Sequence, residues 1–157
     1  GNSLFDGRGV VLDLNKAVEW YTKAAEQGLA QAQSNLGTFF YSGNGVAQDY
    51  RKAVEWYTKA AEQGNTHAQA SLGVCYENGQ GVTKDLAQAV EWYIKAAEQG
   101  YAKAQASLGV CYVEGKGVTQ DFAQAVEWYI RLRSRGTPSR KGSFWGPSAA
   151  KQGKFPL

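Results

Sequence analysis

Catalysis needs polar groups that converge on one point, and this chain has few residues able to do so. His67 is its only histidine, so a histidine-rich metal site or a histidine–carboxylate relay would lack its other members; a surface position is the simpler reading. Cys75 and Cys111 are the only cysteines and occupy equivalent positions in two copies of one heptapeptide. If those copies lie on neighbouring packed helices, the axes are about 8–10 Å apart, whereas a disulfide needs Cα atoms within about 7 Å. The pair is therefore expected to be two small buried thiols, which favours a reducing compartment such as the cytoplasm. G-x-G-V begins at Gly7, Gly43, Gly79 and Gly115. It has neither the preceding strand nor the third glycine of a dinucleotide cradle, so a role in turns is expected. No catalytic residue, cofactor or metal is expected.

What these residues share is their spacing. A-V-E-W-Y begins at Ala17, Ala53, Ala89 and Ala125, Leu-Gly recurs at Leu36, Leu72 and Leu108, and the period throughout is 36. Ala17 to Gly28 is identical to Ala53 to Gly64. Strict self-similarity of this kind implies units that pack mainly on their neighbours.

Each period reads as two helices. The second opens at Asp49, Asp85 or Asp121, where a carboxylate can accept from the free N–H groups of the first turn; Gln88 and Gln124, three residues on, complete a capping-box pattern. Tyr50, Ala53, Val54, Tyr57, Ala60 and Ala61 mark its apolar side, and Gly64 and Gly100 end it. Glu55 with Lys59 and Glu91 with Lys95 stand at i,i+4 spacing for ion pairing. The first helix, Thr66 to Asn78, carries Ala68, Leu72 and Tyr76 as its core stripe, with Gly73 admitting a close neighbour. Trp20, Trp56, Trp92 and Trp128 read as a ladder of structural aromatics.

Written out from Ala68 to Gly100, the unit A-x-x-x-L-G-x-x-Y-x-x-G-x-G-V-x-x-D-x-x-x-A-V-x-W-Y-x-K-A-A-E-Q-G resembles the Sel-one-like repeat (SLR) family, a relative of the tetratricopeptide repeat, over roughly Gly1 to Ile130. The resemblance implies an all-α solenoid of antiparallel helix-turn-helix units, three to four of them, in a right-handed superhelix that acts as an adaptor or scaffold. Cysteine-rich members carry a disulfide in every unit and are associated with β-lactam binding. The corresponding positions here look like Ala61 and Ala68, so a β-lactam-binding or hydrolase-type function is the least favoured reading. Gly1 aligns with Gly37, so the first unit is expected to lack most of its first helix and to leave Leu14, Val18 and Tyr21 partly uncovered, as in a fragment of a longer protein. Neither end has a recognisable cap, which leaves a route to self-association.

Stepping about 100° per residue from Leu36 places Gln31, Ser34, Thr38, Tyr41 and Ser42 opposite the core. The equivalents are His67, Ala70, Val74, Glu77 and Asn78, then Lys103, Ala106, Val110, Val113 and Glu114. This face varies while the packing residues repeat, and in related helical repeats the first helices line the concave groove. A partner protein or peptide is expected there, with Tyr41, Val74, Val110 and Val113 as apolar contacts and His67, Lys103, Glu77 and Glu114 as polar selectors.

The repeat domain is expected over 1–133 and a basic, disordered tail over 134–157. Before Arg131 the chain carries ten basic and fourteen acidic residues; from Arg131 onward it carries seven basic residues and no acid. With Phe144 and Trp145 among those charges, the alternative function is a nucleic-acid or anionic-membrane adaptor working through this tail. An out-of-register end to the coding sequence would look the same.

Overall fold

The computed structural model describes residues 10–134, and every regular element among them is an α-helix: α1 (Val10–Glu26), α2 (Ala30–Ser42), α3 (Tyr50–Glu62), α4 (Thr66–Asn78), α5 (Leu86–Glu98), α6 (Ala102–Glu114) and α7 (Phe122–Ser134). The tail from Arg135 lies outside the described residues. Helices α2 and α3, α4 and α5, and α6 and α7 form antiparallel hairpins closed by the G-x-G-V loops. Each hairpin then stacks on the next, which makes an α-solenoid.

Local chemistry sets the helix ends. The Asp49, Asp85 and Asp121 carboxylates each accept from the N–H three residues on, at 3.1 Å. The reciprocal half of the capping box does not form, because the aspartate N–H groups already donate to Phe40, Tyr76 and Tyr112 O of the preceding helix at 2.9 Å. The chain reversal thus binds both helices of a hairpin. At the other ends Gly43, Gly79 and Gly115 take left-handed φ values of 74°, 69° and 70°, which only glycine adopts without a Cβ penalty.

The second glycine of each loop has a different purpose. A Cβ on Gly45 would lie 3.0 Å from Leu14 O, and one on Gly81 or Gly117 would collide with Tyr50 O or Leu86 O. The loop therefore rests on the first turn of the previous unit's second helix, which accounts for the G-x-G-V motif as a stacking element.

Within each hairpin, the Leu-Gly glycine receives a tyrosine ring. A Cβ on Gly37 would be 2.7 Å from Tyr57, and one on Gly73 or Gly109 would be 2.5 Å from Tyr93 or Tyr129. Leu36, Leu72 and Leu108 are buried beside these contacts, as are Cys75 and Cys111, which are unpaired thiols. Burial pushes the Cys75 thiol up to about 11 and raises Cys111 as well. Of the three apolar residues expected to be partly uncovered on α1, Val18 is instead buried against α2 in the core that holds Leu36, while Leu14 and Tyr21 are half-buried.

The tryptophans are not uniformly core residues. Trp20 is 67% exposed, Trp56 and Trp92 are half-buried and Trp128 is buried. A cation lies over each ring, Lys23, Lys59, Lys95 and Arg131 at 4.4–5.0 Å from the centroid. Lys59 and Lys95 lie over these rings, and the expected ion pairs with Glu55 and Glu91 do not form. Among the described residues the ion pairs are those of Lys116 with Glu77 and Glu114, both 3.6 Å.

Three buried glutamines run through the stack. Gln33, Gln69 and Gln105 donate through Nε2 to Ala25, Ala61 and Ala97 O at 3.1–3.2 Å. Gln63 and Gln99, at the ends of α3 and α5, donate to Gln33 and Gln69 Oε1 at 2.8 and 2.9 Å. This satisfies both ends of the Gln33 and Gln69 amides, whose burial unpaired would be costly.

Candidate functional site

Helices α2, α4 and α6 are held in register by the Leu-Gly contacts with their partners, so their remaining faces line up along the solenoid. Tyr21, Gln31, Asn35, Thr38, Phe39 and His67, from α1, α2 and α4, line a concavity of about 470 Å³. Gln31, Thr38, His67, Lys103, Val110, Val113 and Glu114 are exposed.

Ser34 and Ala70 do not project into the open, and their assignment to the exposed groove face is corrected: they are 0% and 7% exposed. The first helix is flanked by second helices on two sides and by the next first helix on a third, so its buried arc is wider than a single core face allows. Ser34 Oγ lies 2.9 Å from His67 Nδ1, and Ala70 belongs to the core around Tyr93 and Leu108.

Tyr41, Val74 and Glu77 are half-buried and already engaged. Tyr41 donates through its hydroxyl to Gln80 Oε1 at 2.8 Å and packs against the tilted ring of Tyr50, centroids 5.1 Å apart. Val74 packs against the same core as Ala70. Glu77 accepts from the Tyr93 hydroxyl at 2.7 Å and pairs with Lys116. These three tie unit to unit, which explains why side chains of such different chemistry stand at these positions.

His67 sits between Tyr57 and Tyr101, with ring centroids 6.2 and 6.5 Å away, both edge-on. Desolvation by this packing lowers its pKa below the usual imidazole value, and the Lys103 ammonium lowers it further. The imidazole is thus held neutral beside a basic neighbour.

Thr38 is exposed but fixed, within 3.0 Å of the Tyr57 hydroxyl and donating to Ser34 O. Sequence alone places neither Asn35 nor Phe39 at the groove, and it marks Tyr21 only as part of the partly uncovered apolar side of the first unit. Tyr21 and Phe39 pack at 5.5 Å, and the signal for Asn35 was its position four residues from Gln31, with which it shares a 3.1 Å hydrogen bond.

Ser34 and His67 touch, but a serine with no exposed area cannot meet a substrate carbonyl. Among the described residues no three histidine, cysteine or acidic groups gather as a metal site would require. No described helix is long and apolar enough to cross a membrane.

Comparison with solved structures shows the same architecture elsewhere. A protective antigen of uropathogenic Escherichia coli displaying an SLR fold is 46% identical, with a TM-score of 0.76 over 78% of this chain and 26% of that one. A Sel1 repeat protein from Oxalobacter formigenes is 38% identical, with a TM-score of 0.73 over 89% of this chain and 56% of that one. The Helicobacter pylori cysteine rich protein B is 30% identical, with a TM-score of 0.63 over 87% of this chain and 98% of that one. The chain thus spans about a quarter and just over half of the first two. No curated protein gives a significant match. The Sel1 repeat pattern matches residues 1–29, 30–65, 66–101 and 102–136 in unbroken succession, and with stacked hairpins of the same period the chain belongs to the Sel1 repeat family.

Proposed function

We propose that this chain is a non-catalytic interaction scaffold that holds a peptide or protein segment along the face made by α2, α4 and α6. Sel1 repeat proteins are generally protein-interaction scaffolds. The observation that carries the reading to this face is the concavity of Tyr21, Gln31, Asn35, Thr38, Phe39 and His67, taken with Val110 and Val113, apolar side chains left 42% and 36% exposed on the first helix of a later unit. Two exposed valines on a stacked frame give an extended chain apolar footholds, and Gln31, Asn35 and Lys103 offer donors for its carbonyl groups.

The test is a peptide-display selection on the whole chain, followed by binding of the selected peptide to Thr38→Glu/Val110→Glu. Both positions are exposed, so the helix signal in circular dichroism should persist while binding falls at least about tenfold. Selected peptides that bind the variant as well as the parent place the interaction elsewhere and defeat this reading.

A further inference from the structure

Asparagine is followed by glycine at Asn44–Gly45 and at Asn78–Gly79. Asparagine is chemically labile, and it is most so in this pairing, because glycine has no Cβ to obstruct attack of its backbone nitrogen on the preceding side-chain amide. Both asparagines are exposed, so access to water does not separate them. Their backbones differ. Asn78 is the last residue of α4, and the Gly79 N–H donates to Cys75 O, which ties the nitrogen that would attack into the helix end. Asn44 lies past the end of α2, beyond the left-handed Gly43. Among the described residues, neither the Gly45 N–H nor the Asn44 side chain has a hydrogen-bond partner.

The peptide bond at Asn44 leads directly into a packing contact. A Cβ on Gly45 would lie 3.0 Å from Leu14 O and 3.1 Å from Val18 Cγ2, and Val46 packs on the core of Val18, Ala25, Ala32 and Leu36. In the two later loops the place of Asn44 is taken by Gln80 and Lys116. Lysine has no amide to lose, and the Gln80 amide is a methylene further from the next nitrogen and already accepts from the Tyr41 hydroxyl. Of the three described loops, the first alone carries the reactive pair.

We infer that Asn44 is a site of spontaneous deamidation, and that its isoaspartyl product unseats the loop joining α1 to the α2–α3 hairpin. The Gly45 nitrogen loses its proton to solvent base and bonds to Asn44 Cγ; the Cγ–Nδ2 bond breaks, and ammonia leaves with a proton from water. Water then opens the cyclic imide. Cleavage between the nitrogen and Cγ gives aspartate, whereas cleavage between the nitrogen and the backbone carbonyl carbon gives isoaspartate, whose main chain runs through Cβ and Cγ. Water is the only co-reactant. The isoaspartyl chain is longer by a methylene immediately before Gly45, where the fit against Leu14 and Val18 is too close even for a Cβ to enter freely. Val46 is then displaced from its core, and α1 loses the clamp at its first turns.

The test ages the whole chain in mildly alkaline buffer, with and without guanidinium chloride, and follows the tryptic peptides Ala24 to Arg51 and Ala60 to Lys84 by fragmentation mass spectrometry. In the folded chain Asn44 should deamidate at least about tenfold faster than Asn78, whose reaction waits on opening of the helix end. In denaturant the two rates should converge, since only the fold distinguishes the pairs. Equal rates in native buffer, faster loss at Asn78, or a ratio that denaturant leaves unchanged would each overturn the inference. The isoaspartyl form is then separated by chromatography and melted beside the fresh chain and Asn44→Asp, which adds the charge without the methylene. A lower thermal midpoint for the isoaspartyl form alone is expected. The same midpoint in all three, or an equal drop in Asn44→Asp, would rule out the unseating of the loop.

Discussion

Gln63 donates to Gln33 Oε1 at 2.8 Å, and because Gln33 is 5% exposed, this hydrogen bond decides whether a buried amide oxygen is satisfied. The same Nε2 reaches Gly28 O at 2.9 Å, so one surface side chain secures both a buried partner and a helix end. Gln63→Ala should cost about 1 kcal/mol, at the low end for an orphaned buried acceptor because water can approach from the exposed side. Urea unfolding measures it, and an unchanged midpoint would show that the ladder contributes nothing.

The ladder is incomplete at its last rung. Gln105 Oε1 is buried without a hydrogen-bond partner, and the sequence position matching Gln63 and Gln99 holds Arg135. Gln105→Leu should therefore cost less stability than Gln69→Leu, because it removes a buried acceptor that has no partner, whereas Gln69 Oε1 accepts from Gln99. Urea unfolding of the two variants checks the order, and equal losses would show that the missing partner carries no penalty.

For Gly73→Ala two effects compete. Alanine within a helix is favoured over glycine by about 0.5–1 kcal/mol, but the added Cβ would lie 2.5 Å from the ring of Tyr93. That ring is 2% exposed and cannot swing aside, so overpacking of about 1–3 kcal/mol prevails. A lower thermal midpoint is expected, and Tyr93→Leu in the same chain should recover part of the loss.

The residues that could be placed from sequence were those obeying a local rule. Asp49, Asp85 and Asp121 cap helices through their own side chains, Gly43, Gly79 and Gly115 reverse the chain, and the Leu-Gly pairs lie on a 3.6-residue stripe. Ser34 and Ala70 failed because a single-face wheel ignores the second flanking helix, and Ser34 is buried by His67 from the following unit. Tyr41 and Glu77 lie on the open side of that wheel, but Tyr41 reaches Gln80 and Glu77 reaches Lys116 across the junctions between units, contacts invisible within one unit, while Glu77 also accepts from Tyr93 of its own hairpin. The glutamine ladder did leave a trace: Gln33, Gln69 and Gln105 repeat without variation at a polar position, which solvent exposure alone would not require.

Cys75 has no exposed area, and burial lifts its thiol to about 11. At pH 8 its thiolate population is therefore small and out of reach, and Cys111 follows the same logic. Reaction with a disulfide reagent should proceed only after the chain unfolds, at a rate that tracks urea concentration through the unfolding transition. Fast labelling in native buffer would mean that α4 or α6 opens locally.

His67 offers a direct readout of the groove, since the chain has no other histidine and one imidazole resonance suffices. Its folded pKa lies below 6.5, first through desolvation between Tyr57 and Tyr101 and then through the Lys103 charge. A base with a lowered folded pKa binds its proton more readily in the unfolded chain, so its contribution to stability is whole above about 6.5 and is lost as pH falls through the folded value. Lys103→Gln should raise the titration midpoint by removing the smaller cause, while leaving it below the free-imidazole value because the burial remains. Acidification should also weaken any groove-bound peptide that donates a hydrogen bond to the neutral His67 ring or places a cation beside it, and strengthen one that places a carboxylate there. A midpoint at or above 6.5 in the parent chain would show that the tyrosine rings do not shield His67, and the geometry drawn for this end of the groove would then be wrong.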